Sequence, residues 1–164
     1  MSLSDWPGCC RAPSMNAPID SHVIARADSS ADPWRACLQL GFERRGERTV
    51  LARRSHVGPL RLQKALYPEG DRVCHGIVLH PPAGIASGDE LAIELDLGPR
   101  AHALLTTPGA GKWYRSAAGA EGVLRQSVKL APGSLCEWLP QESIVFDRAV
   151  ARLETRVELQ GDAV

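Results

Sequence analysis

The stretch Trp-Arg-Ala-Cys-Leu-Gln-Leu-Gly-Phe at residues 34–42 decides the fold class, because its apolar and polar residues alternate. Tryptophan, alanine, two leucines and phenylalanine occupy the even positions, whereas Arg35 and Gln39 fall at odd ones. Successive side chains of an extended strand point to opposite faces, so a period of two predicts a half-buried β-strand.

The same alternation returns further along the chain, at 90–97, 124–130 and 152–159. Gly-Pro, Pro-Pro and Pro-Gly pairs separate these runs, and no long segment has a helical period with caps. Short strands punctuated by turns predict an all-β fold, which leaves a sandwich, a barrel and a stacked β-solenoid open. The last run ends close to Val164, so we expect it to leave an unpaired sheet edge.

Length and charge limit the function classes. The chain has 164 residues, with 19 Lys+Arg balanced by 19 Asp+Glu, and 44% hydrophobic residues. This composition predicts one globular domain at 34–164, preceded by a flexible, proline-containing extension at 1–33. A zero net charge argues against nucleic-acid or anionic membrane partners, and no apolar run approaches the roughly 18 residues of a membrane span. Without a signal-peptide pattern, the predicted location is cytoplasmic.

The five cysteines form neither a C-x-x-C pair nor an even disulfide framework. Cys74, His75 and His80 are the one cluster of soft metal ligands. In an extended strand Cys74 and His75 face opposite sides, while Cys74 and His80 lie about 20 Å apart at ~3.3 Å per residue. This spacing argues against a tight zinc site and leaves open a transient contact through a single histidine.

The sequence gives no positive reason to predict an enzyme. Pro-Gly-Ala-Gly-Lys at 108–112 superficially resembles a phosphate loop, but Thr106 occupies the first glycine position and Trp113 the Ser/Thr position. The chain contains no G-x-S-x-G or H-E-x-x-H motif and no recognisable pair of catalytic carboxylates.

Four motifs in consistent order resemble the urease accessory protein UreD family, called UreH in some bacteria. His-Val-Gly-Pro-Leu at 56–60, with Leu-Tyr-Pro-Glu-Gly at 66–70, resembles the family's opening. Leu-His-Pro-Pro-Ala-Gly-Ile-Ala-Ser-Gly-Asp at 79–89 is similar to its L-H-P-P-G-G-I-x-G-G-D motif. Leu-Leu-Thr-Thr-Pro-Gly-Ala at 104–110 and Glu-Trp-Leu-Pro-Gln-Glu at 137–142 resemble two further blocks. Ala83 and Ser87 replace family glycines, which predicts φ below zero at both positions.

The resemblance implies a right-handed β-helical stack of short strands and a non-catalytic maturation factor. Members of the family join UreF and the GTPase UreG on apo-urease and help deliver nickel, for which a polar internal channel has been proposed. They run well beyond this chain's end, so we expect the UreD-like domain at 34–164 to be incomplete at its C-terminus. The resemblance implies no tightly bound cofactor, only transient Ni²⁺.

Candidate residues follow from the resemblance and from nickel chemistry. Because Ni²⁺ binds nitrogen and sulfur donors strongly, a tight His/Cys cage would trap the ion, whereas dispersed carboxylates and single imidazoles could pass it on. The candidate nickel path is Asp89 as first choice, then His75, His80, Glu142 and Asp147. The candidate partner-binding residues are Tyr114, Arg115 and Trp138. A pure docking scaffold without nickel contact is the alternative, and a β-solenoid hydrolase is a weaker third.

Overall fold

The computed structural model describes residues 33–116 and 119–164. Within these two ranges the chain forms strands and turns and no helix, which confirms the all-β prediction. Neither range therefore includes a helix that could span a bilayer. Except for its last position, the predicted extension at 1–33 lies outside the described residues. The strands are β1 (Arg35–Arg45), β2 (Arg48–Val57), β3 (Arg61–Leu62), β4 (Val73–Leu79), β5 (Glu90–Leu97), β6 (His102–Thr106), β7 (Gly111–Trp113), β8 (Gly122–Leu130), β9 (Leu135–Leu139), β10 (Ser143–Val145) and β11 (Ala151–Leu159).

The predicted alternating runs are neighbours in one five-stranded sheet, ordered β11-β8-β5-β1-β2. β1, β5, β8 and β11 run parallel, and β2 returns antiparallel to β1. The register aligns leucines of successive parallel strands, since Leu97 lies opposite Leu130 and Leu130 opposite Leu159. Each alternating run of the sequence is therefore one rung of the same ladder.

The other strands form a four-stranded sheet ordered β3-β4-β6-β9 and a parallel pair of β7 with β10. β4, β6 and β9 are also parallel, so Val73 pairs with His102 and His102 with Leu135. From β5 onward the chain visits the five-stranded sheet, the four-stranded sheet and the β7–β10 pair in that order, twice, before it returns with β11. Consequently β8, β9, β10 and β11 each pair with the strand one circuit earlier.

The core lies between these sheets and draws most heavily on β1 and β5. Leu38 and Leu40 of β1 have no exposed surface, and Leu91 and Leu95 of β5 are each 2% exposed. Each fully buried leucine contributes about 1.5–3 kcal/mol through apolar surface removed from water. The stability of the fold therefore resides mainly in the strands that have neighbours on both sides.

β11 differs from the half-buried strand that its sequence predicts. Leu153, Val157 and Leu159 share the face of β8's core-facing residues, as the alternation requires, yet they are 54%, 54% and 57% exposed. The physical reason is position, because β11 is an edge strand and no other described element covers it. The expectation of an unpaired edge is confirmed for the described part of the chain.

Candidate functional site

A cavity of about 270 Å³ lies between the five-stranded sheet and the turns that follow β4, β6 and β9. Apolar side chains make up most of its wall, among them Val78 of β4 and Ile93 of β5. The polar side chains on the wall belong to His80, Thr107, Lys112, Gln126, Gln141 and Ser143. An apolar wall with a few polar groups is the usual composition of a small-ligand cavity.

His80 is the only residue of the predicted nickel path on this wall. It follows β4 directly, and its Nε2 atom is buried without a hydrogen-bond partner among the described residues. Burial lowers the pKa of His80 below its usual value of 6.5, although the Asp89 carboxylate acts in the opposite direction. The imidazole is therefore neutral near pH 7, which is the form whose nitrogen lone pair can bind a metal ion.

Asp89 holds the loop between β4 and β5 in place. Its side chain is buried, and its two carboxylate oxygens accept hydrogen bonds from the backbone N–H groups of Trp34 and Ala86, each at 2.8 Å. The acid at the end of the loop motif thus serves as the acceptor for two backbone N–H groups. Both oxygens of the first-choice nickel ligand are engaged in this structural role.

Ala83 and Ser87, which replace family glycines in the loop between β4 and β5, differ in their backbone angle φ. Ala83 has φ of 60°, in the left-handed region, so the prediction of φ below zero is wrong there. Its N–H donates to the His80 carbonyl at 2.7 Å, which closes a turn over Pro81 and Pro82, and Ala83 leaves this turn with a left-handed backbone. Ser87 is not among the residues with positive φ, and its hydroxyl lies 2.9 Å from that of Ser116. The loop therefore keeps a glycine-type conformation at one of the two positions.

His75 lies on β4 away from the cavity. Its Nε2 atom is 2.8 Å from Glu69 Oε1, whereas the preceding Cys74 is fully buried. The two residues face opposite sides of the strand, as the sequence analysis expects. This geometry gives a histidine–carboxylate pair at the surface and no shared ligand set with His80.

Glu142 and Asp147 lie in the exposed segments on either side of β10. The Asp147 side chain is 91% exposed and pairs with Arg148 at 3.6 Å. Neither acid is on the cavity wall. Across residues 33–116 and 119–164 no three His, Cys, Asp or Glu side chains are close enough to hold one metal ion. The structure therefore does not bring the five predicted residues into one site.

The three predicted partner-binding residues lie in different environments. The Tyr114 ring stacks on Phe146 with centroids 5.4 Å apart, and the two residues are 40% and 46% exposed. Tyr114 also covers Gly84, where an added Cβ would lie 2.2 Å from the ring. Arg115 is exposed, whereas Trp138 lines the cavity and donates from Nε1 to Gln126 at 3.3 Å. Tyr114 and Arg115 thus remain available to a partner, and Trp138 is mainly a wall residue.

Sequence reasoning missed Gln126 of β8, which is 8% exposed and lines the cavity. Its side-chain oxygen accepts hydrogen bonds from Trp138 on β9 and Thr155 on β11. The sequence signal that could have identified it is a polar residue at a core-facing position of a predicted strand. Its partners could not be read from spacing, because they lie on other strands.

The motif-bearing loops and strands lie within the range that matches a known family. Residues 35–164 match the model of the UreD urease accessory protein. The chain belongs to the UreD family. The UreD family's motifs at 79–89 and 104–110 supply one side of the cavity, and the motif at 137–142 supplies Trp138 and Gln141.

Individual relatives agree with the family match. The chain is 64% identical over 150 residues to the urease accessory protein UreD of Azoarcus sp., which covers 92% of this chain and 51% of that protein. It is 62% identical over 130 residues to UreD of Dechloromonas aromatica, covering 79% and 45%. The corresponding figures for UreD of Pseudomonas aeruginosa are 54% over 142 residues, 86% and 50%. The chain therefore spans about half the length of the curated relatives it matches.

Proposed function

We propose that this chain is a non-catalytic urease maturation factor that acts in the cytoplasm. In this proposal it docks on apo-urease with UreF and the GTPase UreG and assists nickel insertion into the urease active site. The observation that carries the proposal is the family match over residues 35–164. GTP hydrolysis is assigned to UreG, since the turn at 108–112 lacks the glycine and Ser/Thr positions of a phosphate loop.

The architecture that we propose is a right-handed β-helical stack, which the longer family members would continue. Support comes from the repeated order of the three sheets along the chain and from the parallel in-register pairing of β5, β8 and β11. A stack of this kind presents a continuous interior, so a cavity in one circuit can open into the next.

The cavity beside His80 is our proposed stretch of the nickel route. A single neutral imidazole with nearby hydroxyl and amide groups binds Ni²⁺ weakly and releases it, which suits a metal that is cargo. Thr107, Gln141 and Ser143 supply these oxygen-bearing side chains on the same wall. Asp89 acts here as a positioning residue that fixes the loop after His80, and no resident cofactor is required.

The remaining members of the predicted path have lesser roles in this proposal. His75, Glu142 and Asp147 lie off the cavity wall, so they serve at most as surface contacts for the incoming ion. Tyr114 and Arg115 are the proposed contacts to a protein partner, because exposed aromatic and arginine side chains are frequent interface anchors.

Docking is tested by co-purification. A tagged copy of this chain is co-expressed with apo-urease, UreF and UreG, beside a full-length relative such as that of Azoarcus sp.. We expect the chain to retain the complex, and Tyr114→Ala with Arg115→Ala to weaken retention more than Arg54→Ala, a change on the distant β2 edge. Retention by the full-length relative alone would remove the docking role from this chain.

The alternative of a scaffold without nickel contact is favoured by one observation, the exposed stack of Tyr114 on Phe146. Equilibrium dialysis against ⁶³Ni²⁺ separates the two functions. A conduit binds nickel weakly and loses binding in His80→Ala but not in His56→Ala, whose imidazole is exposed and off the cavity wall. A scaffold binds no nickel, alone or in its complex.

A further inference from the structure

The strand β2 forms the first edge of the five-stranded sheet, and the pairing of its neighbour β1 shows which way its backbone groups point. The Glu90 N–H donates to the Trp34 carbonyl, and the Gly98 N–H donates to the Phe42 carbonyl. The register of β1 with β5 between these points has no bulge. In a regular parallel ladder the even residues of β1 therefore bond to β5, and its odd residues bond to β2.

Two residues of β2 consequently turn their backbone groups away from the sheet. Arg54 lies opposite Leu40 and His56 opposite Leu38, and both leucines are even residues of β1. These are non-hydrogen-bonded pairs, so the N–H and C=O groups of Arg54 and His56 point away from β1. On that side β2 has no neighbouring strand within residues 33–116 and 119–164. The full width of the sheet separates this edge from β11, beyond which we propose that longer relatives continue.

The side chains beside this edge form a cluster of positive charge. Arg54 and His56 share a face of β2, because alternate residues of a strand point the same way. Arg61 begins β3 after a turn at Gly58, which has φ of 73° and where an added Cβ would lie 2.5 Å from the Arg35 carbonyl oxygen. The turn therefore requires glycine. Burial lowers the pKa of His56 most, and the nearby guanidinium groups of Arg61 and Arg54 lower it further.

This cluster has no acidic counterpart in the described part of the chain. Residues 48–68 contain five Lys+Arg and no Asp or Glu. Arg48 and Arg53 of β2 form ion pairs with aspartates of other elements, whereas Arg54 and Arg61 form none with any described residue. The Arg61 guanidinium donates only to carbonyl oxygens of its own turn. Like charges held together without a counter-charge are unfavourable, so the cluster favours an anionic partner.

We propose that the β2 edge binds an extended acidic segment of another protein, which adds a strand beside β2 and sets its carboxylates against Arg54, His56 and Arg61. The outward N–H and C=O groups supply the strand pairing, and the positive charges select the sequence. A segment with a carboxylate at every second position fits in either direction, because opposing residues of paired strands share a face.

The chemistry of the edge favours this occupant over two others. A free anion would contact the guanidinium groups but leave the outward C=O groups of β2 without donors. A second copy of this chain would bring another β2 strand without acids, and such basic edges commonly prevent edge-to-edge association. The charges that exclude a basic strand are the same ones that attract an acidic strand. The proposal does not rest on the proposed role in urease maturation.

The test uses a fluorescein-labelled peptide of eight residues in which threonine and glutamate alternate. The whole 164-residue chain is titrated into it, and binding is followed by fluorescence anisotropy. We expect binding about tenfold tighter than that of a peptide with the same composition but its four glutamates in one block, since the block places half of the carboxylates on the other face. No binding of the alternating peptide, or equal binding of the two, overturns the proposal.

Charge reversals locate the site on the chain. Arg54→Glu on β2 and Arg61→Glu on β3 should each weaken binding of the alternating peptide by about tenfold or more. Lys129→Glu makes the same charge change at an exposed position of β8 and should alter binding by about twofold at most, because salt screens distant charges. Circular dichroism identifies the folded variants. Unchanged binding in a folded Arg54→Glu or Arg61→Glu chain contradicts the proposal.

Backbone pairing is tested separately from charge attraction. Two further peptides carry N-methyl groups on all glutamates or on all threonines. In an added strand one of these sets of N–H groups faces β2 and the other faces away, so one methylated peptide should lose binding and the other keep it. Full binding of both would mean charge attraction alone and would overturn the proposal.

Hydrogen exchange of the Arg54 and His56 N–H groups, followed by NMR, reports on the edge itself. These amides should exchange rapidly in the free chain and about tenfold more slowly with saturating alternating peptide. Slow exchange in the free chain would mean that residues 1–32 or a second copy already cover the edge. That result, or unchanged exchange with the peptide bound, also overturns the proposal.

Discussion

The first and last strands of one ladder show how much burial depends on neighbours. Leu97 of β5 and Leu159 of β11 are joined through Leu130 in the same register, yet Leu97 is 3% exposed and Leu159 57%. Both strands have the same alternation, so the sequence assigns them the same structure and the same inward face. What differs is that β5 has a strand on each side, whereas β11 has one neighbour among the strands of residues 33–116 and 119–164. The alternation selects which face of a strand is apolar, and the position of the strand in the sheet decides whether that face is buried.

The contrast extends to the acidic residues. Asp89, in the loop before β5, is 3% exposed and accepts two backbone hydrogen bonds. Asp147, in the segment before β11, has a side chain that is 91% exposed. Both belong to the candidate nickel path of the sequence analysis. The buried acid is a structural cap, and the exposed acid is the one free to exchange its contacts.

The largest expected effect on stability comes from replacing Leu97 or Leu159 by alanine. Leu97→Ala should lower the free energy of unfolding by about 2–5 kcal/mol, because it removes buried methyl groups and leaves a cavity. The matched Leu159→Ala should change it by about 0.5 kcal/mol or less, as for other exposed positions. Urea denaturation at low protein concentration measures both values. Equal losses in the two variants would mean that β11 is covered in solution.

The second largest effect on stability is expected from replacing Asp89 by asparagine, with Asp147 as the matched control. Asp89→Asn keeps the size of the side chain but replaces one acceptor oxygen by a donor, so one of the backbone N–H groups of Trp34 and Ala86 loses its partner. The expected loss is about 1–3 kcal/mol of unfolding free energy. Asp147→Asn should stay within about 0.5 kcal/mol. If Asp89→Asn were as stable as the unmodified chain while nickel transfer fell, Asp89 would be a ligand and not a cap.

A smaller effect is expected at the left-handed residue of the cavity loop. Ala83→Gly should stabilise the chain by up to about 1 kcal/mol, since glycine adopts φ of 60° without the steric cost that alanine bears. Ala86, in the same loop, is not among the residues with positive φ, so Ala86→Gly should destabilise by about 0.5–1 kcal/mol. Thermal denaturation of the two variants side by side gives the sign of each change. A loss of stability in Ala83→Gly would show that the backbone there is not left-handed in solution.

The smallest effect is a pH dependence at His80. Burial lowers its pKa in the folded chain below 6.5, so as the pH falls the unfolded chain takes up the proton first. The contribution of neutral His80 to stability is complete above pH 6.5 and is lost as the pH falls from there toward the folded-state pKa. His80→Gln should therefore flatten the decline in unfolding free energy below pH 6.5. An identical pH profile in the variant would mean that the imidazole titrates normally in the fold.

Most of the fold could be predicted from local pattern. Alternation identified β1, β5, β8 and β11 to within a few residues, because a period of two is a property of the strand itself. The exposure of Leu153 and Leu159 could not be predicted, since it depends on which strand occupies the edge. Neither could Gln126 be recognised as a hydrogen-bond centre, because its partners lie on strands that are distant in sequence.

The residues of the candidate site were predicted less completely than the strands, because the contacts of each side chain come from distant parts of the chain. His80 stands on the cavity wall, but the acids chosen with it do not, because residue type does not reveal which groups are already satisfied by the backbone. Asp89 follows from the loop motif, yet its hydrogen bonds to Trp34 and Ala86 appear only when the start of β1 meets the loop. Ala83 shows the same limit, since its backbone follows the turn and not the residue.

The role in urease maturation is tested most directly by the nickel content of urease. Urease is co-expressed with UreF, UreG and either this chain or an empty vector in cells that lack their own UreD protein, and nickel per active site is measured by mass spectrometry after purification. The account predicts more nickel with this chain than with the empty vector, and less with His80→Ala than with His56→Ala. Nickel at the empty-vector level for a folded, expressed chain would contradict it.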